Sequence, residues 1–207
     1  MTYLSIGKVT IPSVWVAVIL ALFLAAWLYK IVTKKKMEDW YWNCFFLYVL
    51  TWKLTYIPLN LQLFLDMPLS IIYFNGGKLG HILGLALVTI YILITARKKY
   101  HLSFTAAAQS FILYFLTYQM IVRFLERNIV EAAILIAVFM VCLYLFVKIN
   151  TQKRLLPVQT FMLIMLLDFF FMSLFDSFFT QEALSFSWLG ITVLLLSKSK
   201  ERVSHFE

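Results

Sequence analysis

His81 is the residue in this chain best suited to move a proton. It lies in the stretch FNGGKLGHILG at positions 74–84, which holds four of the chain's six glycines: Gly76, Gly77, Gly80 and Gly84. An imidazole titrates near neutrality, so His81 can serve as a base toward a thiol or an alcohol. Gly77, His81 and Gly84 follow i, i+4, i+7 spacing and would share one helical face. The ring would then project from a groove lined by missing side chains. That groove could admit a lipid chain and headgroup, or simply another helix, because Gly80 and Gly84 also form the G-x-x-x-G pair of close helix packing. The other side chains with chemical potential are Lys53, Arg123, Glu126, Asp168 and Asp176. Cys44 and Cys142 are isolated and form no metal-ligand or redox motif, so neither a metal nor a cofactor is expected.

These residues must be positioned by membrane helices. Hydrophobic residues make up 63% of the 207 and charged residues 14%, too little polar surface to cover a soluble core. Several apolar runs approach the roughly 20 residues that a helix needs to cross a bilayer. The alternating polarity of a membrane barrel is absent. The expectation is an all-α, polytopic membrane protein, a single transmembrane domain over residues 1–207. Seven spans are predicted, at about 11–32, 40–58, 79–96, 104–124, 128–148, 155–175 and 181–197. Pro12 and Pro157 fall in first turns, where a missing N–H costs little. The first apolar run has its positive cluster after it, which reverses the order of a cleaved signal peptide.

The formal charge of +8 does not point to nucleic acid. The basic residues occur in short runs between apolar segments, and thirteen of the eighteen fall on one side of the seven-span scheme: Lys30, Lys34–Lys36, Arg97–Lys99, Lys148, Lys153, Arg154, Lys198, Lys200 and Arg202. The positive-inside rule then gives an outside N-terminus and a cytoplasmic C-terminus. On this scheme Lys53 lies about a turn and a half inside the outer end of the second helix. His81 opens the third and Arg123 closes the fourth. Asp168 lies in the outer part of the sixth, with Asp176 just beyond. Intramembrane charges face a protein interior or a wet cavity, so this asymmetry predicts a polar cavity opening toward the outer leaflet. Residues near helix ends, such as Lys78, Arg127 and Glu182, read better as snorkelling side chains; Lys53 and Asp168, deeper in their helices, are equally readable as a structural pair.

Several stretches resemble the prolipoprotein diacylglyceryl transferase family. IGKVTIPSVWVAVILALFLAAWL (6–28) is similar to its opening segment. WKLTYI (52–57) is similar to a stretch in which Lys53 stands for an arginine and Tyr56 for a tyrosine. MPLSIIYFNGGKLGHILG (67–84) matches best, through Pro68, Leu69, Gly76, Gly77 and His81. AQSFILYFLTYQMIVRFLERN (108–128) places Arg123 at an essential arginine. The resemblance implies seven spans and a site open to the outer leaflet of a bacterial plasma membrane. It also implies transfer of a diacylglyceryl group from phosphatidylglycerol to a lipoprotein's cysteine thiol. His81 and Arg123 would be catalytic, as base and phosphate clamp. Lys53, Tyr56, Gly76, Gly77, Glu126, Asp168 and Asp176 would line the substrate. The expected partners are a phospholipid and a lipoprotein precursor or other membrane protein.

The chain also departs from that pattern. Val14 takes the place of a functional tyrosine, Val122 of a glycine and Glu126 of an asparagine. The outside head domain is missing, and Met172 stands where a second essential arginine falls. Paired arginines stabilise a departing phosphate through bidentate, charge-assisted contacts; methionine supplies neither charge nor donor. The alternative is therefore a non-catalytic paralogue that binds phospholipid or a membrane partner in the same cavity. A transporter would require inverted repeats or broken helices, and none is visible.

Overall fold

The computed structural model describes residues 3–6, 9–98, 102–152, 154–175 and 180–201. Asp176 and four basic residues of the charge pattern, Lys8, Lys99, Lys153 and Arg202, lie outside the described residues. The chain is predominantly helical. It begins with a hairpin of β1 (Tyr3–Ile6) and β2 (Val9–Pro12) and continues as α1 (Ser13–Thr33), α2 (Asp39–Leu54), α3 (Tyr56–Leu59), α4 (Leu61–Asp66), α5 (Ser70–Tyr73), α6 (Gly77–Lys98), α7 (Phe104–Leu125), α8 (Ile129–Thr151), α9 (Val158–Phe175) and α10 (Gln181–Glu201). Among the described residues four helices are long and apolar enough to cross a membrane: Ser13–Thr33, Gly77–Arg97, Phe104–Leu125 and Ile129–Thr151; Val158–Ser173 and Gln181–Ser197 are shorter apolar helices.

The chain divides into two compact units, one of residues 1–37 and 104–163, the other of 38–103 and 164–207. In the first, α1 packs on α7 and α8, and α7 on α8. Ala17, Ala21 and Ala25 are fully buried at i, i+4, i+8, the small-residue stripe that lets membrane helices approach closely. Phe111 stacks on Phe115 with ring centres 6.0 Å apart, and Phe161 meets Phe104 and Phe111 edge-on. α1 ends at Lys34, whose left-handed φ of 60° lets its N–H return to the Lys30 carbonyl at 2.9 Å. The turn from α7 to α8 closes in the same way. Arg127 takes φ 59° and donates to the Phe124 carbonyl, and Asn128 N–H reaches the Arg123 carbonyl. This double bond pattern is the Schellman closure, with an arginine where glycine is the easier residue.

In the second unit α6 packs on α2 and α10. Glycines set the α2–α6 spacing. A Cβ on Gly76 would lie 2.7 Å from Thr55 Cβ, one on Gly80 3.0 Å from the Trp52 carbonyl oxygen, and one on Gly84 2.9 Å from the Tyr48 ring. Of the two sequence readings of this stripe, close helix packing accounts for these three positions: α2 occupies the space. Gly77 differs, because nothing lies within 4 Å of its Cβ position and its φ is +56°. It is there for its backbone, which turns into α6 while its N–H bonds Asn75 Oδ1 at 2.9 Å.

The end of α2 differs from expectation. α2 stops at Leu54, short of the predicted 58; Thr55, with right-handed helical dihedrals and its N–H still on the Thr51 carbonyl at 2.9 Å, separates it from α3, which carries the chain helically to Leu59 with Pro58 inside it. Lys53 is therefore the penultimate residue of its helix, where the sequence placed it a turn and a half inside. The chain between α2 and α6 runs through the short helices α3, α4 and α5.

Candidate functional site

The best-defined polar constellation in the second unit centres on His81, in the second turn of α6. Gly84, three residues on, leaves room for the Tyr48 ring of α2, which meets the imidazole edge-on. The Tyr48 hydroxyl lies 2.6 Å from His81 Nδ1. On the other side, Ser185 Oγ of α10 lies 2.7 Å from His81 Nε2. Ser185 also donates to the Gln181 carbonyl, one turn back, at 2.6 Å. One distribution of protons satisfies every atom: Ser185 O–H donates to Gln181, His81 Nε2–H donates to Ser185, and the Tyr48 O–H donates to Nδ1. Three helices are thereby joined through a neutral ring. A second polar clasp lies two turns along α6, where Thr89 Oγ1 is 3.1 Å from Thr192 Oγ1 and accepts from Trp188 Nε1 at 2.9 Å. Interhelical bonds of this type are worth about 0.6 kcal/mol each in a membrane.

Lys53 is committed elsewhere. Its ammonium donates to the carbonyls of Ile71, Ile72 and Phe74 at 3.2, 2.9 and 3.1 Å. It caps the C-terminal end of α5, whose last carbonyls have no helical N–H to receive. Tyr56 is buried and donates to Ser70 Oγ at 3.0 Å, which ties α3 to α5. Gly76 N–H bonds the Trp52 carbonyl at 2.8 Å. Asp168, on the stretch of α9 within the second unit, is 1% exposed, and neither carboxyl oxygen has a hydrogen-bond partner among the described residues. Met172 follows it by one turn and is half-buried.

Arg123 and Glu126 belong to the first unit. Arg123 Nη1 lies 3.4 Å from Glu126 Oε2, and Arg123 Nε lies 3.2 Å from Glu131 Oε2. The second contact is an ion pair without hydrogen-bond alignment, since Glu131 Oε2 has no hydrogen bond while Oε1 accepts from Asn128 Nδ2. The arginine is 18% exposed and Glu131 13%. The Schellman turn creates this cluster by reversing the chain sharply enough to bring the first turn of α8 back to the last turn of α7.

Sequence reasoning singled out His81 but missed Tyr48 and Ser185. Tyr48 was detectable in principle, because the glycine stripe implies a bulky partner on a facing helix. Ser185 was not: it is 104 residues from His81, and a serine inside an apolar helix usually satisfies itself on the preceding turn. No known family, curated protein or solved structure matches the chain.

Proposed function

We propose that the chain is a seven-span protein of a bacterial plasma membrane, with its N-terminus outside and its C-terminus cytoplasmic, and that His81 is its working residue. The basic loops support the orientation, and the helix lengths support spanning. The reaction that fits best is the one the family resemblance implies: transfer of a diacylglyceryl group from a phosphatidylglycerol-like donor to a protein thiol.

The observation that carries this reading is the imidazole held between two neutral hydroxyls, Tyr48 and Ser185. A substrate thiol can replace the Ser185 hydroxyl at Nε2 with little loss, because Ser185 keeps its bond to Gln181. For that exchange the ring adopts the other tautomer, with Nδ1–H donating to the Tyr48 oxygen and Nε2 accepting. Nε2 takes the thiol proton, and the sulfur attacks the glyceryl carbon that bears the phosphate ester. The carbon–oxygen bond breaks and glycerol phosphate leaves with the electron pair. The resemblance implies Arg123 as the phosphate clamp; it lies in the first unit and His81 in the second.

A second reading, phospholipid or membrane-partner binding without turnover, is favoured by the state of the cations. Arg123 already faces two carboxylates and Lys53 three carbonyls. One experiment separates the two. The chain is expressed in a strain depleted of its diacylglyceryl transferase, and lipid-labelled lipoproteins are followed. The enzyme reading expects labelling that disappears with His81→Ala while the protein remains in the membrane. No labelling, with phospholipid copurifying from both parent and variant, overturns the enzyme reading in favour of binding.

A further inference from the structure

Residues 59–69 lie between the end of α2 and the start of α6, and they hold apolar side chains away from the protein. Leu59, Leu61, Leu63, Leu65, Met67 and Leu69 are all largely exposed, Leu65 at 68% and Leu69 at 67%. A water-facing loop of this length would carry polar side chains and leave its backbone to solvent. We infer that this segment is an interfacial element that lies in the bilayer surface, its leucines embedded among lipid chains and the adjoining α5 held by Lys53. The inference rests on the membrane reading of the chain and is independent of the chemistry at His81.

Three observations carry it. First, the pattern around α4 fits an interface. At 100° per residue, Gln62 and Asp66 stand on one narrow stripe, while Leu61, Leu63, Phe64 and Leu65 cover the other sides. A protein groove would bury one apolar face. An apolar surface interrupted only by a thin polar stripe suits immersion to headgroup depth. Second, much of the backbone is satisfied from within, the first-turn N–H groups of α4 at Leu61, Gln62 and Leu63 being left to the headgroup region. N–H groups of Asn60, Phe64, Met67, Ser70, Ile72 and Phe74 each find a carbonyl inside the segment or in α3. The carbonyls at the end of α5, which water would ordinarily solvate, are taken by the Lys53 ammonium. Such internal accounting is required where water is scarce. Third, the apolar surface is continuous in sequence with the exposed apolar residues that open α6, Leu79, Ile82 and Leu83, on a helix long enough to span. The segment carries one charge, Asp66, and no cation, so its attachment comes from apolar burial rather than attraction to anionic headgroups.

The test uses the full chain in nanodiscs of phosphatidylcholine and phosphatidylglycerol, with Cys44 and Cys142 replaced by alanine. A single cysteine at Leu65 carries an environment-sensitive fluorophore. Matched labels at Leu83, on α6, and at Lys35, after α1, give the lipid and water references. The expected result is at least twofold quenching at position 65 by nitroxide placed high on the lipid chain, with iodide quenching well below that at position 35. It should also be insensitive to the phosphatidylglycerol fraction. Adding Lys53→Met should raise iodide quenching at position 65 as the segment lifts. Iodide quenching at 65 equal to that at 35, with 83 still quenched by lipid, overturns the proposal while leaving the membrane reading intact. If 83 is also open to iodide, both fall.

Discussion

Gly76 and Gly77 are adjacent, yet the structure gives them opposite reasons to lack a side chain, and substitution can tell the reasons apart. At Gly76 the obstacle is steric. A Cβ there would sit 2.7 Å from Thr55 Cβ and 3.0 Å from the Gly80 backbone. Thr55 Cβ is fixed to its own backbone and cannot rotate away, so Gly76→Ala must push α6 from α2. Overpacking of this kind costs about 1–3 kcal/mol. Gly76 precedes the helix, so no gain in helix propensity offsets the cost. At Gly77 the obstacle is conformational. Space is open, but φ is +56°, which costs a β-branched residue about 1–2 kcal/mol and an asparagine much less. Loss of helical circular dichroism during heating in detergent reads both. With about 2–4 °C per kcal/mol for a chain of this size, Gly76→Ala should melt on the order of 5 °C below the parent. Gly77→Val should fall by a few degrees, and Gly77→Asn should stay near the parent. A Gly76→Ala protein that melts with the parent, or a Gly77→Asn that falls as far as Gly77→Val, would refute the assignment of causes.

Two further predictions concern the α7–α8 turn. Arg123→Met leaves Glu126 and a nearly buried Glu131 facing each other without their cation; the loss should fall at about 1–3 kcal/mol, between the values for exposed and buried pairs. Adding Glu131→Gln should recover part of it in the same melting assay, and a double mutant no better than the single would show that the pair is uncoupled. Arg127→Gly removes a non-glycine residue from the left-handed region and should raise the melting temperature by a few degrees, provided the arginine has no other role; a fall would show that its side chain stabilises the turn.

The positions of the longer helices were legible because long apolar runs are visible without knowledge of partners; four of them are long and apolar enough to cross a membrane among the described residues. What the sequence obscured were features set by contacts. The segment 59–76 reads as a connection, its apolar residues broken by Asn60, Asp66 and Pro68, yet it forms the short helices α4 and α5. Lys53 looked like a charge inside a span because 40–58 was read as one helix; the structure divides that stretch at Thr55 into α2 and α3. The His81 site was half legible. Four glycines around a histidine mark a place of close approach, but only coordinates show that the approach delivers a tyrosine to one ring nitrogen and leaves a serine at the other.

The three titratable side chains that the proposed function assigns differ in what a ligand must displace. At His81 the occupants are hydroxyls, neutral and individually replaceable, and Ser185 has a second acceptor to fall back on. A thiol or alcohol exchanges there one neutral hydrogen bond for another. At Arg123 an incoming phosphate must compete with two carboxylates, and at Lys53 with three carbonyls that hold an adjacent segment in place. Charge-assisted bonds are roughly twice as strong as neutral ones, so the cost of opening Arg123 exceeds that of opening His81. On the proposed reading, proton exchange with a neutral group at His81 therefore displaces less than anion binding at Arg123. Anion recruitment demands that Glu126, the more exposed of the two carboxylates, swing away first. That order places Glu126→Gln as the substitution that should tighten phospholipid retention, measured as lipid copurified per protein, without touching the His81 hydrogen bonds; unchanged or weaker retention would argue against Arg123 as the phosphate contact.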